Sequence, residues 1–396
     1  MSATLAVTQQ RAGSGANRLG LSNFLRSSIT FIVFLVLFAV LSLWLGGSFL
    51  SAQDRIFDLH QNVPLLVLGL AAVTILSVNQ FDLSIGGMAT LTAYLSAGLY
   101  ADNGFPMWLA IVASLAVGVV GGLVNALLVV KMRINAFIAT IGTGGVFLGA
   151  SRVYGNGTVL VPDEGLPGWF AGRESFGSFS SKVPAVVMWV VLALLLVGAV
   201  AYVVRTLRAP AATPSLRSIR VACVVVGAAV AIAIWPTITG LVPLTVAFVL
   251  LVAIVMWLMF TRTVFGRYLY ATGGNPRAAR LAGVKVERQT TMAFVITGLL
   301  ASVAGVVLAA NQGSVAVDVA QPMLLPAYAA AFLSTVLLST GRLHVWGCIL
   351  GGLFVVWIRQ ALIIGGVPFT WAEVVNGGVL VAAVAASRLL TSKDRR

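Results

Sequence analysis

Apolar stretches long enough to cross a bilayer recur along almost the whole chain, and they fix its solvent before any motif is read. A hydrocarbon core of about 30 Å takes roughly 20 helical residues to cross. About twelve candidate spans fall at 28–47, 62–80, 84–101, 107–130, 134–153, 183–204, 219–235, 241–260, 291–310, 324–340, 344–364 and 371–388. Composition agrees. Apolar residues make up 59% of the 396 and charged residues 9%, against roughly 25% charged in an average soluble domain. The spacing therefore predicts an all-α polytopic membrane protein with about 10–12 transmembrane helices. A single membrane domain, 28–388, is expected between tails at 1–27 and 389–396. Cys223 and Cys348 lie inside apolar runs and read as small buried side chains.

The net charge of +14 suggests nucleic acid only if the cations cluster on a soluble face. Here they sit in the short breaks between apolar runs. Assigning the breaks alternately to two sides gathers most of them with the amino-terminal tail. Of the 25 Lys and Arg, only Arg55, Arg152, Arg173, Lys182 and Arg359 fall on the opposite side. That asymmetry is the positive-inside pattern, with both termini expected in the cytoplasm. No nucleic-acid partner is needed to explain it. The first apolar run is longer than the core of a cleavable signal, so 28–47 reads as a retained span. The connection 154–182, with Asp163, Glu164 and Glu174, is the expected external loop.

Several function classes are excluded by missing motifs. No G-x-x-x-x-G-K-[ST] occurs, so a P-loop for ATP is absent. His60 and His344 form no metal-binding spacing, and no G-x-S-x-G is present. All 11 acids are expected in connections or at span ends, whereas proton-coupled carriers place such groups at membrane depth. A chain with many spans and no energy source of its own is expected to borrow energy from a partner. A self-sufficient, ion-coupled secondary transporter is the alternative, because backbone carbonyls alone can bind sodium.

The connection 261–290 is the richest. Asn275 suits an N-cap, Pro276 the first helical position and Gly283 a left-handed C-terminal position. About two turns of helix are expected between them, with Ala278 and Ala279 on a slim side that fits another protein's groove. A solvated connector whose arginines only fix topology is the competing reading.

That segment, T-x-F-G-R-Y-x-Y-A-x-G-G-N-P-x-A-A-R-L-x-G-V, resembles the cytoplasmic coupling loop of ABC importer permeases for monosaccharides. These are the ribose, xylose, arabinose and galactose permeases. Two further pieces follow the family's order: Phe81-Asp82-Leu83-Ser84-Ile85-Gly86, and Asn135-Ala136-Phe137-Ile138-Ala139-Thr140-Ile141-Gly142-Thr143. There are departures. Asn79-Gln80 stands where relatives carry glycine, Asn135-Ala136 replaces a proline, and Leu338–Arg342 departs from a glycine-rich element. Three apolar runs in 183–260, where one is typical, resemble the layout of the long xylose-type permeases.

The resemblance implies a permease subunit of an ATP-driven importer in a bacterial inner membrane, moving a monosaccharide, with a pentose such as xylose first. It implies a cytoplasmic ATPase subunit, an extracytoplasmic sugar-binding protein and a second permease copy in a homodimer. This chain would bind no cofactor, and the partner would use the ATP. Coupling to that partner would fall to Gly266, Arg267, Asn275, Pro276, Ala278, Ala279 and Gly283. Asp82 is expected to cap the Ile85 and Gly86 amides, a direct sugar contact being the bolder reading. Asn79, Asp82, Asn125, Asn135, Asn311 and Gln312 are candidate pathway residues, although hydrogen bonding at span ends explains most of them equally well. Gly118/Gly122, Gly145/Gly149 and Gly347/Gly351 have helix-packing spacing.

Overall fold

The computed structural model describes residues 36, 38–171, 176–178, 180–208, 214–337 and 342–393. The expected tail 1–27, most of the first span, Arg173, Glu174 and residues 338–341 lie outside the described residues. The chain divides into two compact units, Met1–Leu37 with Lys182–Val242, and Phe38–Ser181 with Pro243–Arg396.

In chain order the principal helices are α1 (Ala52–Gln61), α2 (Val63–Leu76), α3 (Ile85–Ala101), α4 (Met107–Ala126) and α5 (Ala136–Tyr154). Then come α6 (Ala185–Arg208), α7 (Pro214–Ile238), α8 (Leu244–Arg262), α9 (Val264–Gly274) and α10 (Pro276–Leu281). The series ends with α11 (Val286–Gln312), α12 (Leu324–Leu337), α13 (Val345–Ile364) and α14 (Ala372–Lys393). An isolated antiparallel bridge pairs Leu160 with Val315. The protein is thus all-α and polytopic.

Among the described residues, six helices are long and apolar enough to cross a membrane: α4 with the π turn that continues it to Lys131, α5, α6, α8, α11 and α13. The pair α1 and α2, bent by 55°, makes a seventh if it is one span. The expected spans 62–80, 84–101 and 324–340 appear as α2 and α12 of 14 residues and α3 of 17. At 1.5 Å per residue α2 and α3 reach only about 21–26 Å. Residues 77–84 and 313–323, largely outside regular helix, carry the chain between them and their neighbours. Hydropathy places the first of these breaks at 81–83 alone; Asn79, held at a left-handed φ of 57°, marks its earlier start. Other boundaries also move. Arg217 and Arg220, expected in a connection, lie within α7. The expected tail begins inside α14, which continues to Lys393.

In the unit containing Lys182–Val242, α6 and α7 pack on each other, and the Val183 amide donates to the Val242 carbonyl at 2.8 Å. This pair matches the two extra apolar runs seen in the sequence. In the larger unit, α11 packs against α2, α3 and α4, while α12 packs against α2, α13 and α14. Helices in lipid gain little from hydrophobic burial, so close backbone contact must hold them. The chain supplies it with glycine. A Cβ at Gly298 would collide with the Gly118 carbonyl, and one at Gly122 would lie 2.5 Å from the Phe294 carbonyl oxygen.

Candidate functional site

The first break in the larger unit carries a buried polar cluster. Asp82, 1% exposed, lies in the non-helical segment before α3. Its carboxylate accepts from the Ser84 amide at 3.0 Å and the Ser84 hydroxyl at 2.5 Å. Asn125 of α4 donates to both carboxylate oxygens at 3.2 and 3.3 Å and to Ser84 Oγ at 2.8 Å. Thr143 of α5 completes the set by donating to Asn125 Oδ1 at 2.6 Å.

The surrounding backbone is satisfied by side chains. The Tyr328 hydroxyl of α12 accepts from the Asp82 amide at 2.9 Å and donates to the Asp82 carbonyl at 2.8 Å. The Leu83 amide donates to Thr140 Oγ1 at 3.0 Å. On the second break, the Ala320 amide donates to Thr90 Oγ1 at 3.2 Å. Irregular backbone at membrane depth requires such partners, because hydrocarbon offers none. The cluster thus ties α3, α4, α5 and α12 around a bend. The expected capping of Ile85 and Gly86 is corrected: the carboxylate meets the Ser84 amide. Asp82 lies in a connection, as expected, but that connection is folded into the bundle and the carboxylate is buried.

The 261–290 segment holds its predicted helix and a second one. Asn275 Oδ1 accepts from the Ala278 amide at 3.0 Å, Pro276 opens α10, and Gly283 follows it with φ of 82°. The Val284 amide closes the end by donating to the Ala279 carbonyl at 2.9 Å. Residues 264–274, outside the expected helix, form α9, capped by the Thr263 hydroxyl, which accepts from the Gly266 amide at 3.2 Å. The signal was the threonine cap itself, masked by the glycine and arginine that follow. A Cβ at Gly266 would run into the Phe260 carbonyl, so this glycine permits the turn from α8 into α9.

The two alanines of α10 differ. Ala278 is exposed, whereas Ala279 is buried with Val284 and Val286. The slim outward side is therefore Ala278, with Leu281 as a projecting apolar knob, 92% exposed. Sequence reasoning missed Leu281, which looks like one more core leucine until the helix is placed.

At its other end the coupling segment touches the first break. A Cβ at Gly273 would collide with the Ser77 carbonyl and lie 3.2 Å from the Asn79 amide nitrogen. Tyr270 of α9 donates to the Leu343 carbonyl at 2.7 Å, and burial pushes its phenol up to about 12 despite the nearby Arg342 charge. Gly273 therefore links the capped helix to the segment that carries Asp82.

Of the six candidate pathway residues, only Asp82 and Asn125 meet. Asn79 is exposed at the start of the break, and Asn135 is exposed and caps α5 by accepting from the Phe137 amide at 2.9 Å. Asn311 donates to the His60 carbonyl at 3.1 Å and Gln312 is exposed, both at the far end of α11 from the coupling segment. Among the glycines, Gly118 and Gly122 face α11, and Gly347 and Gly351 face Ser334 and Ala330 of α12. Gly145 and Gly149 are corrected: a Cβ at either meets nothing within 4 Å, so they pack no helix of this chain among the described residues.

Comparison with known proteins adds three findings. The family described as "Branched-chain amino acid transport system / permease component" matches residues 59–384. The xylose transport system permease protein XylH of Escherichia coli (strain K12) is 30% identical over 374 residues, 90% of this chain and 92% of that protein. The autoinducer 2 import system permease protein LsrC of Enterobacter sp. (strain 638) is 29% identical over 359 residues, 91% of this chain and 85% of that protein. No solved structure matches the chain.

Proposed function

Since the chain belongs to the family of branched-chain amino acid transport system permease components, and so is a multi-pass inner-membrane transport protein, we propose that it is the membrane subunit of an ATP-driven sugar importer. The cargo is a monosaccharide, a pentose such as xylose first. Support for that class comes from relatives named for xylose and for autoinducer 2 import, matched over about nine-tenths of this chain.

In this reading a separate ATPase hydrolyses ATP in the cytoplasm, and this chain contributes no catalytic residue and binds no cofactor. An external sugar-binding protein delivers the cargo. Two copies of the chain form the passage, with both termini in the cytoplasm. The single observation that carries the coupling role is the small capped helix α10, which projects Ala278 and Leu281 while Gly273 abuts the Ser77 carbonyl. A groove on the ATPase takes Leu281. Movement of the helix reaches the 77–84 break through Gly273, and the Asp82–Asn125–Thr143 cluster passes it to α4 and α5. Rigid links suit this task, since packed interfaces switch between discrete arrangements and do not deform continuously.

The test is reconstitution in liposomes with a candidate ATPase and sugar-binding protein. Uptake of labelled xylose is expected to require hydrolysable ATP and both partners. Uptake by the chain alone, driven by an imposed proton or sodium gradient, would overturn the reading in favour of a secondary transporter. ATP-dependent uptake of other monosaccharides but not xylose would keep the class and change the cargo.

A further inference from the structure

Three long helices of the larger unit have one end against the short helix α1. The His60 ring nitrogen Nδ1 is 2.6 Å from Thr245 Oγ1, at the start of α8. Asn311, near the end of α11, donates to the His60 carbonyl at 3.1 Å. Arg359, near the end of α13, donates to Asn62 Oδ1, just past α1, at 3.4 Å. Each of these helices has its opposite end beside the coupling segment. Helix α8 runs into α9, α11 follows α10, and α13 starts after Leu343, whose carbonyl accepts from Tyr270. Thus α1 lies across the end of these helices that is farthest from the coupling segment.

The buried side of α1 is polar. Asp58, His60 and Asn62 are all buried, and Asp58 pairs with the nearly buried Arg55 at 3.0 Å. The polar groups here are incompletely satisfied: Arg55 Nε and Asn311 Oδ1 are buried without a hydrogen-bond partner among the described residues. Such groups regain partners when water reaches them, so lifting this side costs less than lifting an apolar one. The junction with α2 is built to bend. The two helices meet at 55° across Asn62. Pro64, in the first turn of α2, lacks the amide that would bind the His60 carbonyl in a continuous helix. Asn311 donates to that carbonyl instead, so a side chain of α11 replaces a helix amide at the hinge, and it can let go.

We propose that α1 is a hinged lid. It turns about 62–64, closes the end of the larger unit away from the coupling segment, and is latched by Thr245, Asn311 and Arg359. Naming that end the external one, and the lid a gate for cargo, rests on the transport reading above; the hinge and the latch do not.

The probe is T245C, because Thr245 is fully buried against His60. The full chain is purified in detergent and its labelling by a charged methanethiosulfonate is timed, wild type with its own two cysteines serving as the blank. T245C is expected to label slowly, and T245C/N311A roughly tenfold faster, the population shift for one latch hydrogen bond. T245C/R359M is expected to shift in the same direction, and it stands in should the first variant fail to insert. T245C/T74V, which removes an equally buried hydroxyl from the other end of α2, is expected to label as T245C does. Labelling that neither latch variant accelerates would overturn the lid. Equal acceleration by T74V would overturn it too, in favour of general loosening. In liposomes with the partner subunits, bridging H60C/T245C with a short bis-methanethiosulfonate is expected to stop uptake, and reduction to restore it. Undiminished uptake by the bridged protein would overturn the gating role. Absence of uptake before bridging would instead count against the transport reading and leave the labelling to decide the lid.

Discussion

Helices α11 and α6 carry almost the same sequence signal and live in different surroundings. Each is a long apolar helix able to cross a membrane, yet 72% of the apolar window of α11 is buried inside the protein and only 11% of that of α6. Hydropathy reports that a helix avoids water; it does not report whether lipid or protein replaces the water. Side-chain size does. The buried helix sets Gly298 and Gly305 where the Gly118 and Ala89 carbonyls arrive, and it buries Ala293, Ala301 and Ala304 beside larger residues such as Phe294 and Leu308. Its counterpart exposes Val186, Val190, Leu194, Leu195 and Val197, bulky residues that meet acyl chains well and other helices poorly. Polar groups divide the same way. Thr297 of α11 donates to the Ala71 carbonyl at 3.3 Å.

The largest expected effect breaks the comparison directly. Leucine at Gly298 would overlap the Gly118 carbonyl, and G298L should cost about 3 kcal/mol, the upper range for overpacking. A Cβ at Gly198 of α6 meets nothing within 4 Å, and G198L should shift stability by no more than about 0.5 kcal/mol. Thermal unfolding of both variants in detergent reads the contrast, and equal losses would show that α6 is packed like α11. Next comes the polar cluster. Asn125→Leu strands the Asp82, Ser84 and Thr143 groups and should cost about 2 kcal/mol, the penalty for buried unpaired partners, measured in the same assay.

A smaller effect is expected at the coupling helix, which is exposed and short. Asn275→Ala removes the cap, worth about 1 kcal/mol locally. Its expected signature is weaker ATP-dependent uptake with little change in the midpoint of global unfolding, and Asn275→Asp should restore it. The smallest effect should come from Arg152→Gln. The Arg152–Asp318 pair is well formed, at 3.1 Å from Nε and 2.5 Å from Nη2, but the two side chains are 54% and 31% exposed. Exposed ion pairs contribute little, so the unfolding midpoint should not move measurably. A clear drop would mean that the link from α5 to the 313–323 segment carries as much as the packed glycines do.

What could be read from the sequence was local. The spans follow from runs of apolar residues, and the ends of α10 follow from Asn275, Pro276 and Gly283, each of which acts within its own few residues. The Gly118/Gly122 pair was legible as a packing face, because its spacing lies within one helix. The cluster around Asp82 was not. Its carboxylate finds Asn125 43 positions away, and the Asp82 backbone finds Tyr328 246 positions away. No periodicity encodes such meetings. The orientation of Ala279 was hidden for a related reason: a two-turn helix has no buried face until Val284 and Val286 fold back under it. Gly145 and Gly149 show the converse, a spacing that signals packing where the described residues provide no partner.

The central claim is that α10 is a handle gripped from the cytoplasm by a nucleotide-hydrolysing subunit. A cysteine at Ala278, exposed beside Leu281, tests it in intact cells and in inside-out vesicles. The account predicts that the cysteine cross-links to the ATPase subunit, and that a membrane-impermeant maleimide labels it only from the inner side. Labelling from the outer side of intact cells, or cross-linking to no nucleotide-hydrolysing protein, would contradict it.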